Sequence, residues 1–156
     1  MPELALLPPM ARFSLRGAPD ALAAGCAAFG TATPAVLRVA TDGERAALWL
    51  GPDEVLLLAP STVELPAIDG VPHALVDIGA RQVGLALTGQ GGEAMLAAGC
   101  PLDLTKLDVG ACTRTVLGKA PIVLWRLAPF AWHIEVWRSF SAYAQALLRQ
   151  AAKDWA

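Results

Sequence analysis

Short apolar runs broken by turn residues set the rhythm of this chain, and a sustained helical stripe appears only near its end. From Arg12 to Arg16 apolar and polar positions alternate, Gly17 breaks the run, and Pro19 stands where a first helical turn tolerates proline. A strand and then a helix over 19–28 are predicted. Val36–Ala40, Ala46–Leu50 and Val55–Ala59 are apolar runs separated by Asp42-Gly43 and Gly51-Pro52-Asp53, turn chemistry that predicts three antiparallel strands. Ser61–Pro66 reads as a helical turn, and Pro66 to Pro72 as the connection after which His73–Ile78 opens a second half.

The second half repeats the order of the first. Gln82–Leu87 alternates, Gly89–Gly92 makes a tight turn, and Glu93–Ala98 is a helix stopped by Gly99 as its C-cap. Thr113–Leu117, Pro121–Leu127 and Ala131–Trp137 follow as strands, turning at Gly118-Lys119 and Ala128-Pro129. In the final helix Ser139 is the expected N-cap, and Phe140, Tyr143, Ala144, Leu147 and Ala151 fall on one stripe. Arg149 and Lys153 complement its C-terminal dipole. That stripe should close over a sheet.

The pentapeptide Leu22-Ala23-Ala24-Gly25-Cys26 recurs as Leu96-Ala97-Ala98-Gly99-Cys100, and Leu48-Trp49 recurs as Leu124-Trp125 at nearly the same offset. A period of about 75 residues is too long for a solenoid repeat and fits a duplicated half. The fold class expected is α+β: internally duplicated strand-helix-three-strand halves, mainly antiparallel sheet, and a C-terminal amphipathic helix. A single domain over 1–156 is expected, with pseudo-repeats at about 12–60 and 82–137 and an N-terminal arm over 1–11. A dinucleotide fold is disfavoured, because parallel sheets need a helix at nearly every crossover.

Composition adds the question of what lies outside the core. Charged residues are 17% of the chain and apolar ones 55%, against roughly 25% charged in an ordinary soluble protein. Either the chain is alanine-rich and well packed, or another polypeptide covers part of its exterior. The net charge of −2, with scattered basic residues, leaves no electrostatic footprint for nucleic acid or an anionic membrane. No window reaches the roughly 18 apolar residues of a membrane span, and Met1–Pro9 carries Glu3 and prolines in place of a basic leader. A soluble, cytoplasmic protein is expected.

Candidate chemistry is sparse. Cys26, Cys100 and Cys112 form no CxxC and read as buried thiols, while His73 and His133 lack spaced metal-ligand partners and read as hydrogen-bonded structural histidines. Gly89-Gln90-Gly91-Gly92 lacks both the lysine of a phosphate loop and the full GxGxxG spacing. Asp77 and Arg81 flank Gly79 and are placed to pair across a turn, and Asp103 to cap the segment after Pro101. No catalytic residue, cofactor-binding residue or metal ligand is assigned. Of the five tryptophans, Trp49, Trp125, Trp132 and Trp137 are the interface candidates, because such residues dominate both cores and binding hot spots; the competing reading places at least half of the five in the core.

Trp49-Leu50-Gly51-Pro52-Asp53-Glu54, Val76-Asp77-Ile78 leading to Arg81, Gly99-Cys100-Pro101-Leu102-Asp103-Leu104, and Arg138-Ser139-Phe140 resemble the gamma subunit of heterotetrameric sarcosine oxidase, a likeness running from about Arg12 to Trp155. The resemblance implies a fold similar to the duplicated folate-binding domain of aminomethyltransferases. It implies larger flavin-bearing partner subunits that oxidise sarcosine to glycine, with formaldehyde or methylene-tetrahydrofolate and hydrogen peroxide as further products. Flavins, NAD and tetrahydrofolate are expected on those partners and none on this chain. The leading reading is a non-catalytic assembly subunit. The alternatives are a free-standing folate-binding or one-carbon-transfer protein, for which Asp77 and Asp103 are the testable acids, and a cysteine-dependent enzyme.

Overall fold

The computed structural model describes residues 1–154. In chain order they form β1 (Glu3–Leu6), β2 (Met10–Gly17), α1 (Pro19–Phe29), β3 (Val39–Asp42), β4 (Arg45–Gly51), β5 (Glu54–Pro60), β6 (His73–Asp77), β7 (Gln82–Thr88), α2 (Gly92–Ala97), β8 (Cys112–Leu117), β9 (Ala120–Ala128), β10 (Ala131–Trp137) and α3 (Ser141–Lys153). Single 3-10 turns lie at Leu104–Lys106 and Arg138–Phe140. Residues 9–80 make one compact unit, and residues 1–8 join those from 81 onward in the other.

Each unit is built on a five-stranded antiparallel sheet, in the orders β3-β4-β5-β2-β6 and β1-β7-β10-β9-β8. The α+β class and the strand-helix-three-strand order are those of the sequence reading. The edge strands follow a different rule. His73–Asp77 precedes β7 in the chain but pairs with β2, setting Ser14 opposite Val76, and so completes the first sheet and does not open the second. In the same way β1 precedes β2 but pairs with β7, setting Leu4 opposite Leu87. Each half thus receives its fifth strand from the segment ahead of the other half. Apolar alternation fixes which face of a strand is buried, and neighbour choice is left to backbone pairing.

In the first unit Phe13, Leu15, Leu22, Cys26, Phe29, Val55 and Leu57 form the core, with the Phe13 and Phe29 rings edge-to-face at 6.2 Å. Every residue from Val55 to Ala59 is buried, so its unbroken apolar run reflects a strand covered on both faces. In the second unit Leu85, Leu87, Leu96, Leu117, Leu124, Trp132, Ile134, Ala144 and Leu148 pack together between sheet and helices. Both copies of the repeated pentapeptide bury their leucine and cysteine. Gly25 lies inside α1, where a Cβ would strike the Leu15 side chain, whereas Gly99 follows α2.

Local boundaries shift for identifiable reasons. Leu37 takes the left-handed region, φ 58°, so Val36 and Leu37 turn the chain and β3 begins only at Val39. Val63 N–H donates to the Pro60 carbonyl at 3.0 Å, and Ser61–Pro66 forms a turn without a helix. α1 ends at Gly30, φ 98°, a left-handed cap. Gly99 is not such a cap. Its Cβ would stand 2.9 Å from Gly118 N and 3.0 Å from Leu147 Cδ2, so close approach requires the glycine there. Ser139 lies within the 3-10 turn ahead of α3, whose N-cap position is Phe140. The buried stripe of α3 is Ala144, Leu148 and Ala151. Tyr143 is exposed, and its hydroxyl accepts the Lys119 N–H at 3.0 Å.

Candidate functional site

The histidines and the acids singled out in the sequence, Asp77 and Asp103, are taken up by structural bonds. His133 and Glu135 share one face of β10, with Nε2 and Oε1 2.7 Å apart at 5% and 1% residue exposure, and the His133 ring lies 5.6 Å from Trp125. Burial of both partners makes this a structural pair, as expected for His133. His73 Nδ1 lies 2.8 Å from the Val71 carbonyl. Asp77 and Arg81 have separate partners. Asp77 Oδ1 accepts the Gly79 N–H at 2.9 Å, closing a tight turn, while the Arg81 guanidinium lies 5.7 Å from the centre of the Trp137 ring.

Asp103 caps its turn as anticipated. Its Oδ1 accepts from Thr105 N at 3.2 Å and from Thr105 Oγ1 at 2.5 Å, and Lys106 Nζ stands 3.4 Å from Oδ2. The Thr105 hydroxyl, with help from Lys106 and the Thr105 amide, holds the Asp103 carboxyl below the ordinary carboxylate range. A groove of about 380 Å³ runs between α2 and this turn, lined by Glu93, Ala94, Ala97, Leu102 and Asp103 among others. Glu93 is drawn to Arg126, 3.6 Å away. Both carboxylates at the groove are therefore engaged, and its lining offers alanine and leucine in place of an aromatic face for a pterin ring.

Arg126 had no assigned role in the sequence and proves to be a clasp. Nη1 donates to the Leu107 carbonyl at 2.6 Å, Nη2 donates to the Pro129 carbonyl at 3.0 Å, and the guanidinium lies 4.9 Å from the centre of the Trp132 ring. The available signal was an arginine two positions along from core Leu124, on the strand face that carries apolar residues.

No disulfide links Cys26, Cys100 and Cys112, and all three are buried. Burial pushes the Cys26 thiol up, against a lesser opposing effect of the Thr31 hydroxyl. A thiol shielded in this way is a poor nucleophile. Among the described residues no group of three or more His, Cys, Asp or Glu side chains is placed to hold a metal ion, and no helix is long and apolar enough to cross a membrane.

The tryptophans divide by environment. Trp132 is 1% exposed within the second core, so it belongs to the interior and has no surface to offer a partner. Trp49 and Trp125 are half-buried. Trp137, at the end of β10, is 43% exposed and rests 6.2 Å from Phe140. Phe130, Leu127 and Val116 add exposed apolar surface in the same unit. Trp155 lies outside the described residues.

Residues 16–154 match the profile of the sarcosine oxidase, gamma subunit family. Sarcosine oxidase subunit gamma of Corynebacterium sp. (strain P-1) is 32% identical over 138 residues, covering 83% of this chain and 68% of that protein. The Arthrobacter sp. protein of the same description is 36% identical over 121 residues, 72% of this chain and 60% of its own length. A chain in the structure of heterotetrameric sarcosine oxidase from Corynebacterium sp. U-96, in complex with pyrrole 2-carboxylate, superimposes with a TM-score of 0.88 at 32% identity. The match covers 98% of this chain and 84% of that one. Glycine cleavage system aminomethyltransferase T from Bartonella henselae matches with a TM-score of 0.68 at 15% identity, covering 94% of this chain and 45% of that one, a likeness of fold alone.

Proposed function

We propose, from the premise that this chain belongs to the sarcosine oxidase, gamma subunit family, that it is a non-catalytic subunit of a heterotetrameric sarcosine oxidase. The observation that carries this reading is the near full-length likeness, TM-score 0.88, to a chain of such a heterotetramer. Its role is assembly. Larger partner subunits hold the flavins, NAD and tetrahydrofolate and carry out the oxidation of sarcosine with water and dioxygen to glycine, formaldehyde and hydrogen peroxide. With tetrahydrofolate present, methylene-tetrahydrofolate forms in place of free formaldehyde. The buried thiols, none in a disulfide, suit work in the reducing cytoplasm.

The chemistry on this chain supports the division of labour, because the His133–Glu135 pair, Glu93 and Asp103 are bound to structural partners. Co-expression with the large subunits tests the proposal. The expected outcome is one complex with sarcosine-dependent peroxide formation, whose flavin spectrum is that of the large subunits alone. A purified chain that carries flavin, or that never enters the complex, overturns it. The free-standing folate-binding reading has the aminomethyltransferase-like fold behind it. Calorimetric binding of tetrahydrofolate by the isolated chain would decide in its favour.

A further inference from the structure

Arg81 and the block Arg138-Ser139-Phe140, both among the residues that carry the family resemblance, meet at one corner of the second sheet. Arg81 directly precedes β7, Trp137 ends β10, and antiparallel pairing sets Gln82 opposite Trp137. The Arg138 N–H donates to the Arg81 carbonyl at 2.7 Å and ties the two strand ends together. Arg81 is exposed with its guanidinium over the Trp137 ring, and the Phe140 ring lies 6.2 Å from that of Trp137, tilted by 43°. Among the described residues no carboxylate forms an ion pair with Arg81.

A guanidinium over an indole ring is favoured there by the ring's quadrupole, and its planar fork matches a carboxylate through two parallel hydrogen bonds. Tryptophan and arginine side by side are also the residue types in which binding energy concentrates at protein interfaces. We propose that this corner docks a carboxylate-bearing segment of a larger partner subunit. An Asp or Glu meets Arg81, and an apolar neighbour in the same segment covers Trp137 and Phe140. Charge selects the occupant: the chain as a whole carries −2, yet this corner presents an arginine whose complement is an acid. The inference rests on the subunit reading above.

The test uses the co-expressed complex, with the dissociation constant of this chain from the large subunits as readout and circular dichroism of each variant as the check on folding. Arg81→Glu is expected to weaken association about tenfold or more, Trp137→Ala by a similar factor, and Arg81→Lys by less, since lysine keeps the charge and loses the fork. Wild-type binding should weaken between about 50 and about 500 mM salt, with a flatter response in Arg81→Glu. Arg149→Glu, on the exposed side of α3, serves as the charge-reversal control. Should Arg81→Glu fail to fold, oxidation of Trp137 by N-bromosuccinimide, read by mass spectrometry, tests the same contact in the wild-type chain. Protection in the complex but not in the isolated chain is expected. Folded variants that bind like wild type, or equal oxidation free and assembled, overturn the docking site and leave the subunit reading intact. Protection in a dimer of this chain alone overturns it by naming a different occupant. A wild-type chain that joins no large subunit overturns both.

Discussion

At the residue scale, identical residue types divide into interior and surface by neighbours that the local sequence does not reveal. Trp132 and Trp137 lie on the same strand, one in the core at 1% exposure and one at its end at 43%. Trp132→Ala is therefore expected to cost about 3–5 kcal/mol of folding stability, read as a shift in the urea midpoint, whereas Trp137→Ala should leave that midpoint nearly unchanged. Gly118 is a second diagnostic position. Its φ is +61°, and a Cβ there would strike the Tyr143 hydroxyl and approach Leu147 Cδ1 to 2.7 Å. Gly118→Ala should cost about 2 kcal/mol or more, from left-handed backbone strain and overpacking together. Cys26 carries a pH signature. Its folded pKa is raised by burial, so its contribution is complete below the unfolded thiol pKa of about 8.5 and is lost as pH rises through the folded value. Stability measured from neutral to alkaline pH should fall on that limb, and Cys26→Ala should lack it. Alkylation of Cys26 in the native chain should be slow.

At the element scale, α3 illustrates how a periodic pattern finds a helix and still misses its exact face. The spacing of Ala144, Leu147 and Ala151 correctly marks an amphipathic helix, but Leu148 is fully buried and Tyr143 faces outward to bond Lys119 N–H. Leu148→Ala should cost about 2–5 kcal/mol, measured by thermal or urea unfolding. The edge strands make a second case. β6 was legible only as the segment that opens the second half and β1 only as part of an arm, and their exchange between sheets was not legible at all. Leu4 sits opposite Leu87 and packs on the second core although its nearest strand in sequence, β2, belongs to the first sheet. Leu4→Ala should accordingly raise amide exchange along β1 and β7 more than along β2.

At the scale of the whole molecule, the prediction concerns assembly: this chain joins large subunits and adds no flavin absorbance of its own, as co-expression and spectroscopy of the complex will show. What the sequence by itself determined is the three helices and most of the strands, the antiparallel character of the sheets, the duplicated order and the family. These are carried by period, turn residues and motif blocks such as Trp49-Leu50-Gly51-Pro52-Asp53-Glu54, all of them short-range information. Only the tertiary structure decided the partner of each strand edge, the clasp made by Arg126, the separate engagements of Asp77 and Arg81, and which tryptophans face the surface. Each depends on groups far apart in the chain. Arg126 reaches the Leu107 carbonyl, and Gly99 must be small because Gly118 and Leu147 press against it. A residue's own neighbours in sequence specify its backbone and its side of a strand, while burial and bonding are fixed by whatever the fold brings to that side.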